Sequence, residues 1–182
     1  MVNKPDEDLI EACKKQDRAA QRLLFEKYSS KMMAICIRYS DTRQDAEDLL
    51  QDGFIKVFAK IGSFKRNSTL STWMTRVFIN MAINRLNRDK RRFKETSLED
   101  EYVNYDDGDV DLPEDVDGQA VLNAMKELPE KYEVVLSLYA IDGMNHREIA
   151  NLLGISEGGS KSRLSRARNL LRDMLKDKGI IE

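Results

Sequence analysis

The spacing of apolar residues between positions 45 and 61 constrains the fold more than any other feature of this sequence. These residues recur at intervals of three and four: Ala46, Leu49, Leu50, Phe54, Val57, Phe58 and Ile61. Such a period places them on one side of an α-helix. The other side carries Asp45, Glu47, Asp48, Gln51, Asp52 and Lys56. The segment therefore predicts an amphipathic helix with one buried face and one acidic face.

The rest of the first ninety residues also has a helical period. We expect a short helix from Asp6, helices at residues 19–29 and 31–39, and another from Ser71 to about Arg92. On the last helix the predicted inward positions are Trp73, Val77 and Met81, with Ile83 or Leu86. No strand-like alternation or internal repeat occurs, and prolines (three) and glycines (nine) are few. This composition favours an all-α fold.

Charge is distributed unevenly along the chain, although the net charge is only −2. Residues 1–92 have a net charge of +7 (19 Lys and Arg against 12 Asp and Glu), and residues 118–182 have +1 (ten against nine). Residues 93–117 have −10, with one basic residue against 11 acidic ones. So acidic a stretch with few aromatic residues predicts a flexible linker. We therefore expect two small helical domains, 1–92 and 118–182, joined by the linker 93–117.

The second domain contains a predicted helix-turn-helix. A first apolar stripe ends at Pro129, and a helix restarts at Glu130 and stops at Gly143. Residues 146–153 then form a short helix, followed by the turn Gly154-Ile155-Ser156 and a long basic helix to about Lys178. Gly154 supplies the left-handed turn residue and Ser156 the N-cap of the next helix. Leu164, Ala167, Leu171 and Leu175 are expected to face the core.

The long basic helix is a candidate for the major groove of DNA. Inserted by its N-terminal end, it would present Lys161, Ser162, Ser165 and Arg166 to bases and phosphates. The alternative is a helical hairpin whose basic face is merely solvated.

A second basic surface lies near the end of the first domain. Aromatic residues (Phe64, Trp73, Phe78) are interspersed with basic and amide residues: Lys65, Arg66, Arg76, Asn80, Asn84, Arg85 and Arg88. Cations, flat rings and amides are what single-stranded DNA requires of a binding surface. The alternative is that Trp73 and Phe78 are core residues and that the basic residues are solvated.

Catalytic and metal chemistry lack a sequence signal. Cys13 and Cys36 match no metal-ligand spacing and lie on apolar stripes, which predicts buried, reduced thiols. His146 is the only histidine, and no phosphate-binding glycine loop or activated nucleophile is recognisable. We expect no enzyme activity, cofactor or metal. No leader or long apolar segment is present, so we expect a cytoplasmic protein without membrane insertion.

Taken together, the two halves resemble the extracytoplasmic-function group of bacterial sigma factors over nearly the whole chain. In the first half the resemblance is carried by residues 45–54 (DAEDLLQDGF), by Ser71-Thr72-Trp73-Met74, and by Arg76, Asn80 and Asn84. In the second half it is carried by residues 128–132 (LPEKY), 148–150 (EIA), 154–158 (GISEG) and 161–168 (KSRLSRAR). A stand-alone helix-turn-helix regulator is the alternative, but it leaves the first domain without a role.

The resemblance implies two partners, core RNA polymerase and promoter DNA, and family members are commonly inhibited by an anti-sigma protein. Asp48, Gln51 and Asp52 correspond to the polymerase-docking face. The candidate contacts to the minus-ten element, where the DNA melts, are Phe64, Lys65, Trp73, Arg76, Asn80, Asn84 and Arg88. Those to the minus-thirty-five element are Arg147, Ser160, Lys161, Ser162, Arg163, Ser165 and Arg166.

The sequence departs from the family pattern at one place. Gly159-Ser160 stands where the family usually has Thr-Val, so that a serine replaces a core contact and two glycines lie near a helix start. We expect either fraying of that first turn or a bond from Ser160 to a phosphate.

Overall fold

The computed structural model describes residues 4–89 and 117–181, with the side chains of residues 4, 5 and 87–89 left out. The chain divides into two compact units, Met1–Lys90 and Arg91–Glu182. All regular structure in the described residues is helical, which confirms the predicted all-α fold. The predicted linker, 93–117, lies outside the described residues apart from Asp117.

In the first unit, residues 4–89 form four α-helices and one 3-10 turn. They are α1 (Lys4–Lys14), α2 (Arg18–Arg38), α3 (Arg43–Lys60), the 3-10 turn Ile61–Ser63 and α4 (Leu70–Asp89). Helix α2 is the centre of the unit and packs against α1, α3 and α4. Two side chains begin helices: Asp17 caps α2, and Thr42 caps α3 by accepting a hydrogen bond from the Asp45 amide.

The two helices predicted at residues 19–29 and 31–39 are wrong, because α2 is continuous through Ser29 and Ser30. Serine has only a modest helix propensity, but neither glycine nor proline interrupts the segment. Tyr28 and Met32, four residues apart on either side of the two serines, are both buried. Packing of this face stabilises the helix where local propensity is weak.

The apolar stripe predicted on α3 is confirmed. Its residues Ala46, Leu49, Leu50, Phe54, Val57 and Ile61 are buried, and Phe58 is half-buried. Gly53 lies in the same stripe, and a Cβ atom there would be only 2.1 Å from Cε1 of Phe78 on α4. The absence of a side chain at position 53 therefore allows the Phe78 ring to pack directly on the α3 backbone.

The inward face predicted for α4 is partly wrong. Trp73, Val77 and Met81 are only half-buried. The buried residues are Leu70, Met74, Phe78, Ile79, Ala82 and Ile83, so the expectation is confirmed at Ile83. Apolar residues occupy much of the circumference of α4, and spacing alone therefore permits more than one inward face. Phe78 belongs to the core.

The described residues of the second unit, 117–181, also form four α-helices: α5 (Gly118–Lys126), α6 (Glu130–Leu136), α7 (His146–Leu153) and α8 (Glu157–Asp177). Helix α6 continues as a π-helical turn, Ser137–Ile141. Helix α8 packs against α5, α6 and α7 through Leu164, Ala167, Leu171 and Leu175, all buried as predicted.

Both cysteines are buried and unpaired, as expected. Burial raises the pKa of the Cys36 thiol to about 12 and also raises the pKa of Cys13. Both thiols are thus kept protonated and act as small apolar packing groups.

Candidate protein and nucleic-acid interfaces

The acidic face of α3 is solvent-exposed. Asp48, Gln51 and Asp52 lie three or four positions apart on one side of the helix, and all three side chains are exposed. Glu47, also exposed, is paired with Arg43 at 3.0 Å. The face therefore offers carboxylate and amide oxygens to a cationic protein partner.

Asp45 differs from these neighbours because it faces α4. Its carboxylate accepts a hydrogen bond from Arg85 (Nη2 to Oδ1, 2.6 Å), and its backbone carbonyl accepts another from the same guanidinium at 3.3 Å. Arg85 was predicted to lie on the basic DNA-binding surface. The structure instead pairs it with an acidic residue of the same domain.

The loop between the 3-10 turn and α4 begins with Phe64, whose side chain is buried. The centroid of its ring lies 5.4 Å from that of half-buried Trp73. Lys65 and Asn67 are exposed beyond this anchor. Of the two aromatic residues predicted to contact the melted strand, Phe64 thus contributes to the core and Trp73 is partly accessible.

Three further minus-ten candidates lie on one side of α4. Arg76, Asn80 and Asn84 are exposed and four residues apart, so each is displaced from the next by about 6 Å along the helix. The Arg88 side chain lies outside the described residues. These cation and amide groups form an exposed strip on α4, the helix that follows the loop carrying Lys65.

The helix-turn-helix has the local geometry that its sequence predicted. Gly154 adopts a left-handed conformation (φ +69°), and Ser156 caps α8 by accepting a hydrogen bond from the Gly159 amide at 2.9 Å. Asn145 and Glu148 form a reciprocal capping box at the start of α7. These caps fix both helix starts and the turn between them.

The minus-thirty-five candidates differ widely in accessibility. Arg147 and Lys161 are exposed, and Ser162 and Arg166 are half-buried. Arg163 and Ser165 are buried, as is Ser160, which is fully inaccessible. One Arg166 nitrogen is 3.5 Å from the Tyr132 hydroxyl. Only part of the predicted recognition surface is therefore accessible in this structure.

Ser160 has a partner within the second domain. Its Oγ lies 3.0 Å from Nδ1 of His146, the first residue of α7, and the His146 ring stacks on Tyr139 with centroids 5.0 Å apart. Helix α8 includes Gly158 and Gly159 in its first turn, and Ser156 caps that turn. A DNA contact by Ser160 stays a prediction. In the sequence, the His146–Ser160 pair was indicated by Ser160, a polar residue at a position predicted to be in the core.

The described residues contain no group of three or more metal-ligating side chains. None of the described helices combines the length and hydrophobicity needed to span a bilayer.

Comparisons with known proteins place both units in one family. Residues 24–92 match sigma-70 region 2, and residues 118–171 match sigma-70 region 4. The chain is 31% identical over 180 residues to the ECF RNA polymerase sigma-E factor of Haemophilus influenzae, covering 93% of this chain and 95% of the relative. It is also 31% identical to the ECF RNA polymerase sigma factor SigW of Bacillus subtilis (92% and 95% covered).

Two solved structures are similar as well. The sigma factor RpoE of Bartonella quintana, in complex with the anti-sigma factor NepR, matches with a TM-score of 0.54 and 25% identity, covering 85% of this chain and 96% of that one. CnrH, in complex with the cytosolic domain of CnrY, matches in fold with a TM-score of 0.55 and 20% identity (94% and 97% covered).

The chain therefore belongs to the extracytoplasmic-function sigma factors of bacterial RNA polymerase. It is a transcription initiation factor that binds core polymerase and directs it to promoter DNA. A stand-alone helix-turn-helix regulator is not favoured, because region 2 accounts for the first domain.

Proposed function

We propose that three surfaces of this sigma factor divide the work of initiation. The observation that carries the proposal is that exposed side chains lie at the family's motif positions on both domains. The acidic face of α3 docks on the polymerase, the loop and α4 read and open the minus-ten element, and α8 reads the minus-thirty-five element. The modules are residues 1–92 and 118–182, joined by the acidic linker 93–117.

Docking through Asp48, Gln51 and Asp52 is supported by the exposure of all three side chains and by the negative charge of the two aspartates. Exposed carboxylates beside a DNA-binding surface repel phosphates, so their presence is best explained by a basic protein partner. Because RNA polymerase is the partner, the protein works in the cytoplasm and needs no enzyme activity of its own.

Promoter melting is assigned to the loop and to the exposed strip on α4. Unstacking a base costs a few kcal/mol, which new contacts to that base must offset. Lys65 and Arg76 would neutralise phosphates, Asn80 and Asn84 would bond base edges, and Trp73 would contribute its partly accessible side chain. Phe64 would hold the loop in place, and Arg88 would extend the basic strip.

Minus-thirty-five recognition is assigned first to Arg147, Lys161, Ser162 and Arg166, which are at least partly accessible. Arg163 and Ser165 would join them only once their buried side chains become accessible on binding. Ser160 is buried and would contribute indirectly, through its hydrogen bond to His146.

Control by an anti-sigma protein is the last part of the proposal. The similar structure of RpoE from Bartonella quintana holds the anti-sigma factor NepR. A partner of that kind for this chain would compete with core polymerase.

Reconstitution of the full chain with core polymerase tests the proposal. The holoenzyme should start RNA chains at selected promoters, whereas core enzyme alone should not. Asp48→Arg should abolish core binding, and the matched control Glu47→Arg, on the adjacent exposed acid, should weaken it less. Equal loss in both variants would contradict a specific docking contact by Asp48.

The Arg166→Ala variant tests the other domain. It should weaken promoter binding by about 1–3 kcal/mol, with a larger effect on the intact minus-thirty-five sequence than on a scrambled one. Lys176→Ala, which removes one exposed cation near the far end of α8, is the control. The same loss on both DNA sequences would mean that Arg166 contacts only phosphate.

A further inference from the structure

The loop at residues 64–69 is held firmly at both ends. At its start, the Phe64 amide bonds to the Ile61 carbonyl at 3.2 Å and the Phe64 ring is buried. At its end, Thr69 Oγ1 accepts a hydrogen bond from the Thr72 amide at 3.1 Å, and Lys31 of α2 bonds the Ser71 hydroxyl at 2.8 Å. These contacts fix where the loop begins and ends but do not determine the conformation of its middle.

The middle of the loop contains a residue in an unfavourable backbone conformation. Arg66 has φ +59°, in the left-handed region that residues other than glycine rarely adopt. This conformation costs about 1–2 kcal/mol. A strained residue persists only where its surroundings hold it in place.

The contact that holds Arg66 comes from α1. Arg66 Nη2 donates to Glu11 Oε1 at 2.7 Å, and Lys14 donates to the same oxygen at 2.9 Å. The hydrogen bond from Lys14, together with the charges of Lys14 and Arg66, lowers the pKa of Glu11. The carboxylate is therefore ionised at neutral pH and attracts the guanidinium.

We propose that Glu11 is a positioning residue for promoter opening: through Arg66 it holds the loop in the shape that presents Lys65 and Asn67 to the minus-ten element. The inference rests on the proposed function of this loop. Glu11 lies on α1, a helix that has no other proposed role. The pair also accounts for an acidic side chain beside a basic loop, where an unpaired carboxylate would only repel DNA.

The sign of the effect separates positioning from simple electrostatics. Glu11→Gln removes a negative charge near DNA, so charge alone predicts tighter promoter binding or no change. Positioning predicts weaker binding. The matched control is Glu7→Gln, the same substitution one turn earlier on α1 at another exposed position.

The test uses full-length variants in reconstituted holoenzyme, with binding to forked promoter DNA and opening of the minus-ten element as readouts. Glu11→Gln should lower affinity for the intact minus-ten sequence about threefold to fivefold, the upper part of the range expected from an exposed ion pair. Core-polymerase affinity and binding to a scrambled minus-ten sequence should not change. Unchanged or tighter promoter binding, or an equal loss in Glu7→Gln, would overturn the inference.

A second variant shows whether Glu11 acts through Arg66. Arg66→Gly tolerates the left-handed conformation without the ion pair. In that background, Glu11→Gln should have no further effect. A full additional loss would mean that Glu11 acts elsewhere and would overturn the inference.

Lys65→Ala distinguishes failure of the Glu11 positioning role from failure of the proposed function of the loop. If Lys65→Ala weakens minus-ten opening and Glu11→Gln does not, the positioning role alone is wrong. If neither variant changes opening, the loop is not the minus-ten reader, and both the proposed function of the loop and the inference fail.

Discussion

Arg85 on α4 donates hydrogen bonds to both the carboxylate and the backbone carbonyl of Asp45 on the first turn of α3. The second carboxylate oxygen of Asp45 accepts a hydrogen bond from the hydroxyl of Thr42, the N-cap of α3. Both carboxylate oxygens of Asp45 therefore accept hydrogen bonds. This contact joins the helix assigned to polymerase docking to the helix assigned to promoter opening.

Replacing Arg85 should therefore affect stability more than DNA affinity. Arg85→Gln should lower the free energy of unfolding by about 1 kcal/mol, because a partly exposed ion pair with an added backbone hydrogen bond is lost. Urea denaturation measures this change. If Arg85 instead contacts phosphate, the variant will keep its stability and show a shallower salt dependence of DNA binding.

The His146–Ser160 pair predicts a non-additive result. His146→Ala leaves the buried Ser160 hydroxyl without its partner and should cost about 1–3 kcal/mol of stability. His146→Ala combined with Ser160→Val removes both polar groups and should recover most of that loss. Thermal unfolding of the two single variants and the double variant measures the coupling. Strictly additive losses would show that the two side chains do not depend on each other.

Gly53→Ala should destabilise the first domain. The added Cβ would lie 2.1–2.7 Å from three atoms of the Phe78 ring, so the two helices must move apart, at a cost of about 1–3 kcal/mol. Gly62→Ala is the matched control, since a Cβ at Gly62 would meet nothing within 4 Å. Chemical denaturation should show a loss in the first variant only. Similar stability of both would mean that the ring moves aside freely.

Tyr28 predicts a specific alkaline transition. Burial, followed by the hydrogen bond to Asp6, raises the pKa of the Tyr28 phenol to about 12 from an ordinary value of 10. The fold therefore favours the neutral phenol: this contribution to stability is complete below pH 10 and is lost as the pH rises towards 12.

Comparison of the native protein with Tyr28→Phe isolates this contribution from other groups that titrate in the same range. The native urea midpoint should fall between pH 10 and 12 more steeply than that of Tyr28→Phe. Parallel curves for the two proteins would contradict the raised pKa.

Elements governed by local chemistry could be predicted from the sequence. The bounds of α7, the left-handed Gly154 and the start of α8 after Ser156 all agree with prediction, since turn and cap residues act on their immediate neighbours. The buried stripe of α3 was likewise predictable, because its apolar residues occupy a single face.

Features set by packing between distant residues could not be predicted. The continuity of α2 depends on tertiary contacts, and the inward face of α4 depends on where Phe78 finds room against Gly53. The pairs Glu11–Arg66, Asp45–Arg85 and His146–Ser160 join residues that no periodic pattern links. Two of these pairs change the interpretation of candidate residues, because Arg85 and Ser160 have internal partners where DNA contacts were predicted. Phe64, another predicted DNA contact, is buried in the core of its domain.

The direct seating of the Phe78 ring on Gly53 also limits how this protein can be recombined with its relatives. A hybrid that takes α3 from a relative with any side chain at position 53, but keeps α4, would carry an atom where the ring must lie. The residues at positions 53 and 78 are therefore coupled by packing. A hybrid in which promoter-reading segments are exchanged should take both positions from the same parent protein.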